Sequence, residues 1–417
     1  MQYKITPPTH IEDTILLPAS KSISNRALII HALAGGNIMP ENLSTCDDTA
    51  VVARAFKDNP YEIDIMAAGT AMRFMTAYLA VTEGEHVLTG TERMKQRPIK
   101  ILVDALRFLG ADIQYTGEEG FPPLLIKGKK LKGGSVEVAG NVSSQYVSAL
   151  LMIGPTLEKG LELKLLGNVI SRPYIDLTLN LMHEYGADAE WTDVDTITIR
   201  PKRYEERSYT IENDWTAASY WYAILTLLND HKSYIRFPGL KNGSRQGDSA
   251  AKYIFSLLGV KTTFADKEMD ELTDVTITRK PQMLPHLEYD FKNQPDLAQT
   301  LIALCPIMNI PFKFMGLSSL KLKETDRIEA MKTEMAKLGY VLHDSNDSEI
   351  IWNGERCEVA NPIIIDTYKD HRMAMAFAPL SIKLGELTIN NPEVVSKSYP
   401  HFWNDLRKAG FSIEEIK

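Results

Sequence analysis

Cysteine is scarce in this chain: three residues among 417, at positions 46, 305 and 357. None stands at a paired spacing, which argues against a disulfide framework or a zinc site and for a reducing cytoplasm. Long apolar runs are also missing. The longest, Ala27–Ala34 and Tyr146–Ile153, are far short of the roughly 20 residues that a membrane helix needs. Met1–Ile15 has no basic head followed by an apolar core, so no secretory signal is expected. Net positive charge is lacking too: the balance is −8. A nucleic-acid binder would ordinarily be basic or carry a basic block, and here the basic clusters are short (Lys127–Lys132, then Lys202 and Arg203). No phosphate-binding loop ends in Gly-Lys-Ser/Thr, and no Gly-x-Gly-x-x-Gly follows a strand. His183-Glu184 lacks the second histidine of a zinc helix. Gly247-Asp248-Ser249 is similar to some esterase nucleophile turns, but a helix cap is the simpler reading.

What is present is ordinary globular composition, 44% apolar and 24% charged, on a chain long enough for about two to three domains. A helix-like segment that stops at glycine recurs. Arg97–Gly110, Arg172–Gly186, Arg245–Gly259, Thr325–Gly339 and Ser398–Gly410 each end at a Gly suited to the left-handed position beyond a helix C-terminus. A sixth, degraded copy runs from Asp47 through Ala55 without the Gly. Between these lie helices of smaller residues: Ser143–Ile153, Trp215–Leu228, Pro295–Leu304 and His371–Leu380. Short β-branched runs read as strands: Val136–Val138, Thr196–Ile199, Asp274–Thr278, Ile363–Ile365 and Leu387–Ile389. The unit is two helices plus several strands, about six times over. Six units divide into two groups of three, with hinges near Ala19-Ser20 and Glu212-Asn213-Asp214. The expected lobes are 20–213 and 1–19 plus 214–417, with an active site in the cleft between them.

Polar, cation-bearing stretches open the helices. Pro18–Arg26 gathers two cations, three hydroxyls and an amide before Ala27–Ala34. Helix N-termini offer free N–H groups and a positive dipole end, so such a stretch suits an anion. Gly69-Thr70-Ala71-Met72-Arg73, Arg93–Pro98, Asn141–Gln145, Ser171–Tyr174, Lys323–Arg327 and Asp370–Met373 continue the theme. Pro98 reads as the first residue of the next helix. Singly, each has a plain explanation as a cap or a solvated face; together they point to a pocket for small anions in an acidic protein.

In this order, the stretches Pro18–Arg26, Gly69–Arg73, Arg93–Pro98, Val142–Gln145, Lys323–Arg327 and Asp370–Met375, with Lys397, resemble the EPSP synthase (3-phosphoshikimate 1-carboxyvinyltransferase) family from Leu17 to about Leu406. The resemblance implies an α/β fold: a two-domain inverse α/β barrel of six βαβαββ repeats, three per domain. It implies transfer of the enolpyruvyl group of phosphoenolpyruvate to the 5-hydroxyl of shikimate 3-phosphate, with release of phosphate, in aromatic amino acid (chorismate) biosynthesis. No cofactor, metal, nucleic acid or membrane is needed, and a cytoplasmic monomer is expected. Lys21, Gly69, Arg97, Gln145, Arg327, Arg372 and Lys397 would hold phosphoenolpyruvate. Lys21, Ser22, Arg26, Ser143, Ser144, Gln145, Ser171, Tyr174, Asp296, Ser319 and Lys323 would hold shikimate 3-phosphate. Both ligands carry phosphate and carboxylate groups, which arginine forks bind bidentately. A side chain at 69 would intrude where backbone and ligand approach. Lys21, Asp296 and Glu324 would handle protons, Asp296 and Lys21 at the hydroxyl and Glu324 at the methylene carbon.

The sequence departs from the family pattern at Ala67 (commonly Asn), Phe74 (often Pro), Ser319 (usually Asn) and Lys321 (frequently Arg). The first two bear on the response to glyphosate, the herbicide that competes with phosphoenolpyruvate. Two other functions fit the anion logic. One is the UDP-N-acetylglucosamine enolpyruvyl transferase of cell-wall synthesis, which commonly carries a reactive cysteine in the loop corresponding to Thr91–Arg97; none lies there. The other is a non-catalytic phospho-ligand binding protein, which would be expected to lose a carboxylate or Lys21.

Overall fold

Helices that are apolar all round must be buried on every side, and this chain has several. In the computed structural model, which describes all but residues 229, 282, 283 and 417, Trp215–Leu227 buries every residue except Thr216. Ser144–Ile153 buries every residue except Gln145. His371–Phe377 is buried throughout. Helices of the other kind, such as Lys100–Phe108 and Asp47–Asp58, bury one face only.

The chain divides into two compact units, Ala19–Ile211 and Met1–Pro18 with Glu212–Lys417. Each has its own core. The core of the Ala19–Ile211 unit is built largely of Ile, Leu, Val, Ala and Met. That of the other adds Trp215, Trp221, Trp352 and several Phe. In the first, helices Lys21–Ala34, Gly69–Val81 and Ser144–Ile153 pack on one another; in the second, Ala298–Ile307 packs on Trp215–Leu227 and His371–Phe377.

The sheets repeat one design. Among the described residues there are five four-stranded sheets. In each, a parallel pair is followed by two antiparallel strands. Glu62–Asp64 runs parallel to Gly84–Thr89, which pairs antiparallel with Leu124–Gly128, and that with Asp112–Tyr115. The same order holds for Gly134–Ala139, Leu161–Leu166, Thr196–Ile199 and Ala189–Trp191. In the other unit one sheet is threaded from both chain ends: Ile364–Ile365, Leu387–Asn390, Gln2–Thr6, Ser412–Ile416. Its two remaining sheets, led by the parallel pairs Glu12–Thr14 with Tyr234–Lys241 and Leu287–Asp290 with Phe312–Met315, follow suit. A parallel bridge between Glu41 and Thr210 ties residues near the two ends of the Ala19–Ile211 unit.

Gly110, Gly186, Gly259, Gly339 and Gly410 all have positive φ, from 79° to 102°, so the recurrent glycines do stop helices by the left-handed route. The sixth copy stops at Asn59, φ 40°, the other residue type that tolerates this conformation. Two local readings change. The stretch Pro18–Arg26 is mostly helix rather than a turn: the helix begins at Lys21, capped by the Ser20 hydroxyl, which accepts the Ile23 N–H. Pro98 does not begin a helix; Ile99 caps one that starts at Lys100, so Pro98 is left in the loop, where its carbonyl accepts Arg73 Nη2 at 2.8 Å.

Candidate active site

Buried inner helices need partners for their N-terminal amides, and the expected site residues gather at those ends. In the Ala19–Ile211 unit, Lys21 and Ser22 open one helix, Gly69 a second, Ser143 to Gln145 a third, and Ser171 caps a fourth. Arg26 binds three of these helices together. Its Nε donates to Thr178 Oγ1 at 2.7 Å and its Nη2 to Ser148 Oγ at 3.0 Å. Nη1 donates to the Ser22 carbonyl at 2.9 Å and Nη2 to the Tyr174 carbonyl at 3.4 Å. All four acceptors are neutral. Burial pushes its pKa down to about 10, and the guanidinium carbon lies 5.2 Å from the centre of the Phe74 ring. Gln145 Nε2 donates to Thr70 Oγ1 at 3.0 Å, which joins two helix starts. Gly69 lies against Arg97: a Cβ there would stand 2.5 Å from Arg97 Nη1. Lys21 Nζ pairs with Asp48 at 3.0 Å. Ser143 Oγ accepts the Gln145 N–H, and Ser144 and Ser171 are buried. Ser171 holds φ at 54°, an uncommon state for serine that the sequence did not signal.

The second unit assembles a different cluster. Arg327 is buried at the start of its helix and faces three carboxylates. Its Nε donates to Asp370 at 2.7 Å, Nη2 to Glu324 at 2.9 Å and Nη1 to Asp296 at 3.3 Å. Arg372 Nη2 pairs with the other oxygen of Asp296 at 2.8 Å, and Lys397 Nζ with the other oxygen of Glu324 at 3.0 Å. Asp296 and Glu324 therefore each bridge two cations. Burial alone would lower the pKa of Arg327, but the charges of Asp370 and Glu324 outweigh it and the net shift is upward. Lys323 and Ser319 are half-buried; Ser319 lies in the short Ser318–Leu322 turn just before Lys323.

Three contributors were not legible as site residues. Asp370 caps the His371–Phe377 helix by accepting the Arg372 N–H while it holds Arg327. Tyr220, one turn into the Trp215–Leu227 helix, accepts from Arg372 Nη1 at 3.1 Å; burial raises its phenol to about 12. Asp248 is no helix cap: its carboxylate is buried against the Thr216 hydroxyl. Burial first, then the charge of Asp296, push it up to about 7. Asp370 could have been suspected from the run Asp370-His371-Arg372; Tyr220 carries no local signal, and Asp248 carries only the Gly247-Asp248-Ser249 run that reads as a cap.

Comparison with known proteins bears on this geometry. The family model described as EPSP synthase (3-phosphoshikimate 1-carboxyvinyltransferase) matches residues 54–406. A 3-phosphoshikimate 1-carboxyvinyltransferase of Bacteroides fragilis is 55% identical over 414 residues, covering 99% of each chain. One from Mannheimia haemolytica is 33% identical, covering 97% of this chain and 98% of its own. The chain belongs to the EPSP synthase family. The fold agrees: the EPSP synthase of Acinetobacter baumannii superposes with a TM-score of 0.78 at 21% identity, over 99% of this chain and all of that one. The enolpyruvyl transferase NikO of Streptomyces tendae gives 0.71 at 16%, over 99% and 98%.

For an EPSP synthase, the division of the expected residues is informative. Of the phosphoenolpyruvate set, Lys21, Gly69, Arg97 and Gln145 belong to the Ala19–Ile211 unit, and Arg327, Arg372 and Lys397 to the other. Of the shikimate 3-phosphate set, Asp296, Ser319 and Lys323 belong with the latter and the rest with the former. The structure brings Asp296, Glu324, Arg327, Arg372 and Lys397 into one ion-pair network. It brings Ser22, Arg26 and Tyr174 together through Arg26, and Gly69 against Arg97.

Proposed function

We propose that this chain transfers the 1-carboxyvinyl group of phosphoenolpyruvate to the 5-hydroxyl of shikimate 3-phosphate, releasing phosphate. The observation that carries this reading is the network in which Asp296 and Glu324 each bridge two buried cations. Anions displace carboxylates from such cations, and the carboxylates then become bases poised beside the bound anion. In this reading Lys21, Gly69, Arg97, Gln145, Arg327, Arg372 and Lys397 take phosphoenolpyruvate. Lys21, Ser22, Arg26, Ser143, Ser144, Gln145, Ser171, Tyr174, Asp296, Ser319 and Lys323 take shikimate 3-phosphate.

Asp296, with Lys21, accepts the hydroxyl proton as the oxygen attacks C2 of phosphoenolpyruvate. Glu324, displaced by the bound ligand from Arg327 and Lys397 and protonated, delivers that proton to the C3 methylene, which becomes a methyl group. The product of addition is a tetrahedral phospho-ketal. Loss of phosphate from C2, which leaves with the proton held by Asp296, and return of one methyl proton to Glu324 restore the double bond in the product. Protons and charge balance without a redox partner, a metal or an organic cofactor. The five sheets of like topology, with the Glu41–Thr210 bridge in place of a sixth, support six βαβαββ repeats, three per unit, in a two-domain inverse α/β barrel. The protein acts as a cytoplasmic monomer on these two small molecules.

The deciding experiment is phosphate release from phosphoenolpyruvate on addition of shikimate 3-phosphate, compared with UDP-N-acetylglucosamine. Release with the former alone is expected. Release with the UDP-sugar moves the chain to the cell-wall reaction, and release with neither favours a binding protein.

A further inference from the structure

Two consecutive non-glycine residues hold left-handed φ values just ahead of Asp370: Tyr368 at 52° and Lys369 at 57°. L-residues resist this conformation, and a pair of them persists only when surrounding contacts over-determine it. Glu334 and its neighbours supply those contacts. Glu334 is fully buried, on the same helix as Arg327 and two turns further along. Its Oε1 accepts the Tyr368 hydroxyl at 2.6 Å. Its Oε2 accepts the Asp366 amide at 3.1 Å and pairs with Lys337 Nζ at 2.8 Å. Lys337 also reaches the Asp366 carboxylate at 2.7 Å and the Ile364 carbonyl at 3.0 Å, and Asn390 Nδ2 donates to Asp366 at 2.6 Å. Past the bend, the Asp370 amide donates to the Thr367 carbonyl at 2.7 Å.

The bend is thus fastened to one helix at two points. Upstream, Asp366 and Tyr368 hold Glu334; downstream, Asp370 holds Arg327. Asp370 also caps the helix that begins His371-Arg372, with its Oδ1 on the Arg372 amide at 3.0 Å. A shift of this bend moves both arginines at once.

We propose that Tyr368 and Glu334 are positioning residues of the reaction, a latch that sets Asp370 and, through it, the two guanidinium groups of Arg327 and Arg372. The proposal rests on the functional reading above, in which those guanidinium groups take phosphoenolpyruvate. Burial, then the adjacent Glu334 carboxylate, push the Tyr368 phenol well above its ordinary range, so it stays a donor across the working pH. Tyr368 as a residue is 37% exposed, so its hydroxyl can be removed without hollowing the core.

The test is steady-state kinetics of the full chain, parent against Tyr368→Phe, with each substrate varied in turn, beside thermal melting. Misplacement of a binding group costs about ten- to a hundred-fold. The KM for phosphoenolpyruvate is expected to rise about ten-fold, while that for shikimate 3-phosphate stays within about two-fold and melting is unchanged. Glu334→Gln, which keeps the side-chain volume and one acceptor, gives a smaller rise in the same constant. An active parent with Tyr368→Phe unchanged overturns the latch, as does an equal change in both constants accompanied by lower melting. A parent inactive with both substrates overturns the functional reading instead.

Discussion

Arg26 and Arg327 are both buried arginines, in the second turn of one helix and at the start of another, yet their surroundings are opposite. Arg26 is held by two hydroxyls and two carbonyls. Arg327 is held by three carboxylates. The first arrangement keeps a cation in place while leaving its charge uncompensated by those partners, so an arriving anion meets a fixed positive site. In the second, positive charge is already matched, and an anion must compete with the acids. The competition has a chemical use: a displaced carboxylate is a base. In the proposed reaction, the first unit mainly holds an anion and the second couples holding to proton transfer.

The largest expected effect tests that contrast directly. Asp296→Asn keeps the shape and removes the base. The turnover number should fall by about 10² to 10⁴, the usual worth of a positioned proton acceptor. The KM for phosphoenolpyruvate should not rise, since Arg327 and Arg372 lose a competing anion. Steady-state kinetics separates the two constants. A raised KM with turnover intact would make Asp296 a mere holder and erase the distinction between the units.

In the other unit, a change that disturbs holding should do the reverse. Gly69→Ala would put a Cβ 2.5 Å from Arg97 Nη1 and 2.8 Å from its Cζ. The guanidinium is mostly buried, 7% exposed for the residue, so it must shift rather than overlap. The KM for phosphoenolpyruvate should rise about ten- to a hundred-fold, with turnover at saturation changed far less. A turnover loss as large as that of Asp296→Asn, at constant KM, would contradict the assignment of Arg97 to holding.

Much of the architecture was legible because backbone chemistry is local. Glycine stops at near-constant spacing announced five helix ends, and the glycines hold the φ values that only such residues adopt with ease. The sixth end was obscure because Asn59 does the same work without being glycine. Runs such as Thr196–Ile199 matched a strand residue for residue. The site was legible in residue types but less so in pairing. Charge and hydroxyls at helix starts pointed to anions, while the roles of single residues came from likeness to the EPSP synthases. What escaped was long-range: the neutral cage of Arg26 draws on residues 122 to 152 positions away, and Tyr220 meets Arg372 across 152 positions. Asp248 escaped for the same reason, since a Gly-Asp-Ser turn looks like a cap until tertiary packing buries it.

Asp248 supplies the smallest effect, and it sharpens the comparison by asking what the acid-rich cluster costs. An ordinary aspartate releases its proton near pH 4. Asp248 is pushed up to about 7, first by burial and then by Asp296, with Thr216 and Arg372 pulling the other way and Asp214 adding to the rise. Between those two values the folded chain keeps a proton that the unfolded chain has released. Stability from this group is therefore full below pH 4 and declines as pH rises through about 7. Asp248→Asn has no proton to lose, so its stability relative to the parent should grow by about 3 kcal/mol between pH 4.5 and 8, a few degrees in Tm. Thermal melts of both chains across that range give the difference directly, with all other titrating groups in common. A flat difference would mean that the Asp248 carboxylate is ionised throughout, and that the cluster carries one more negative charge at neutral pH than its burial allows.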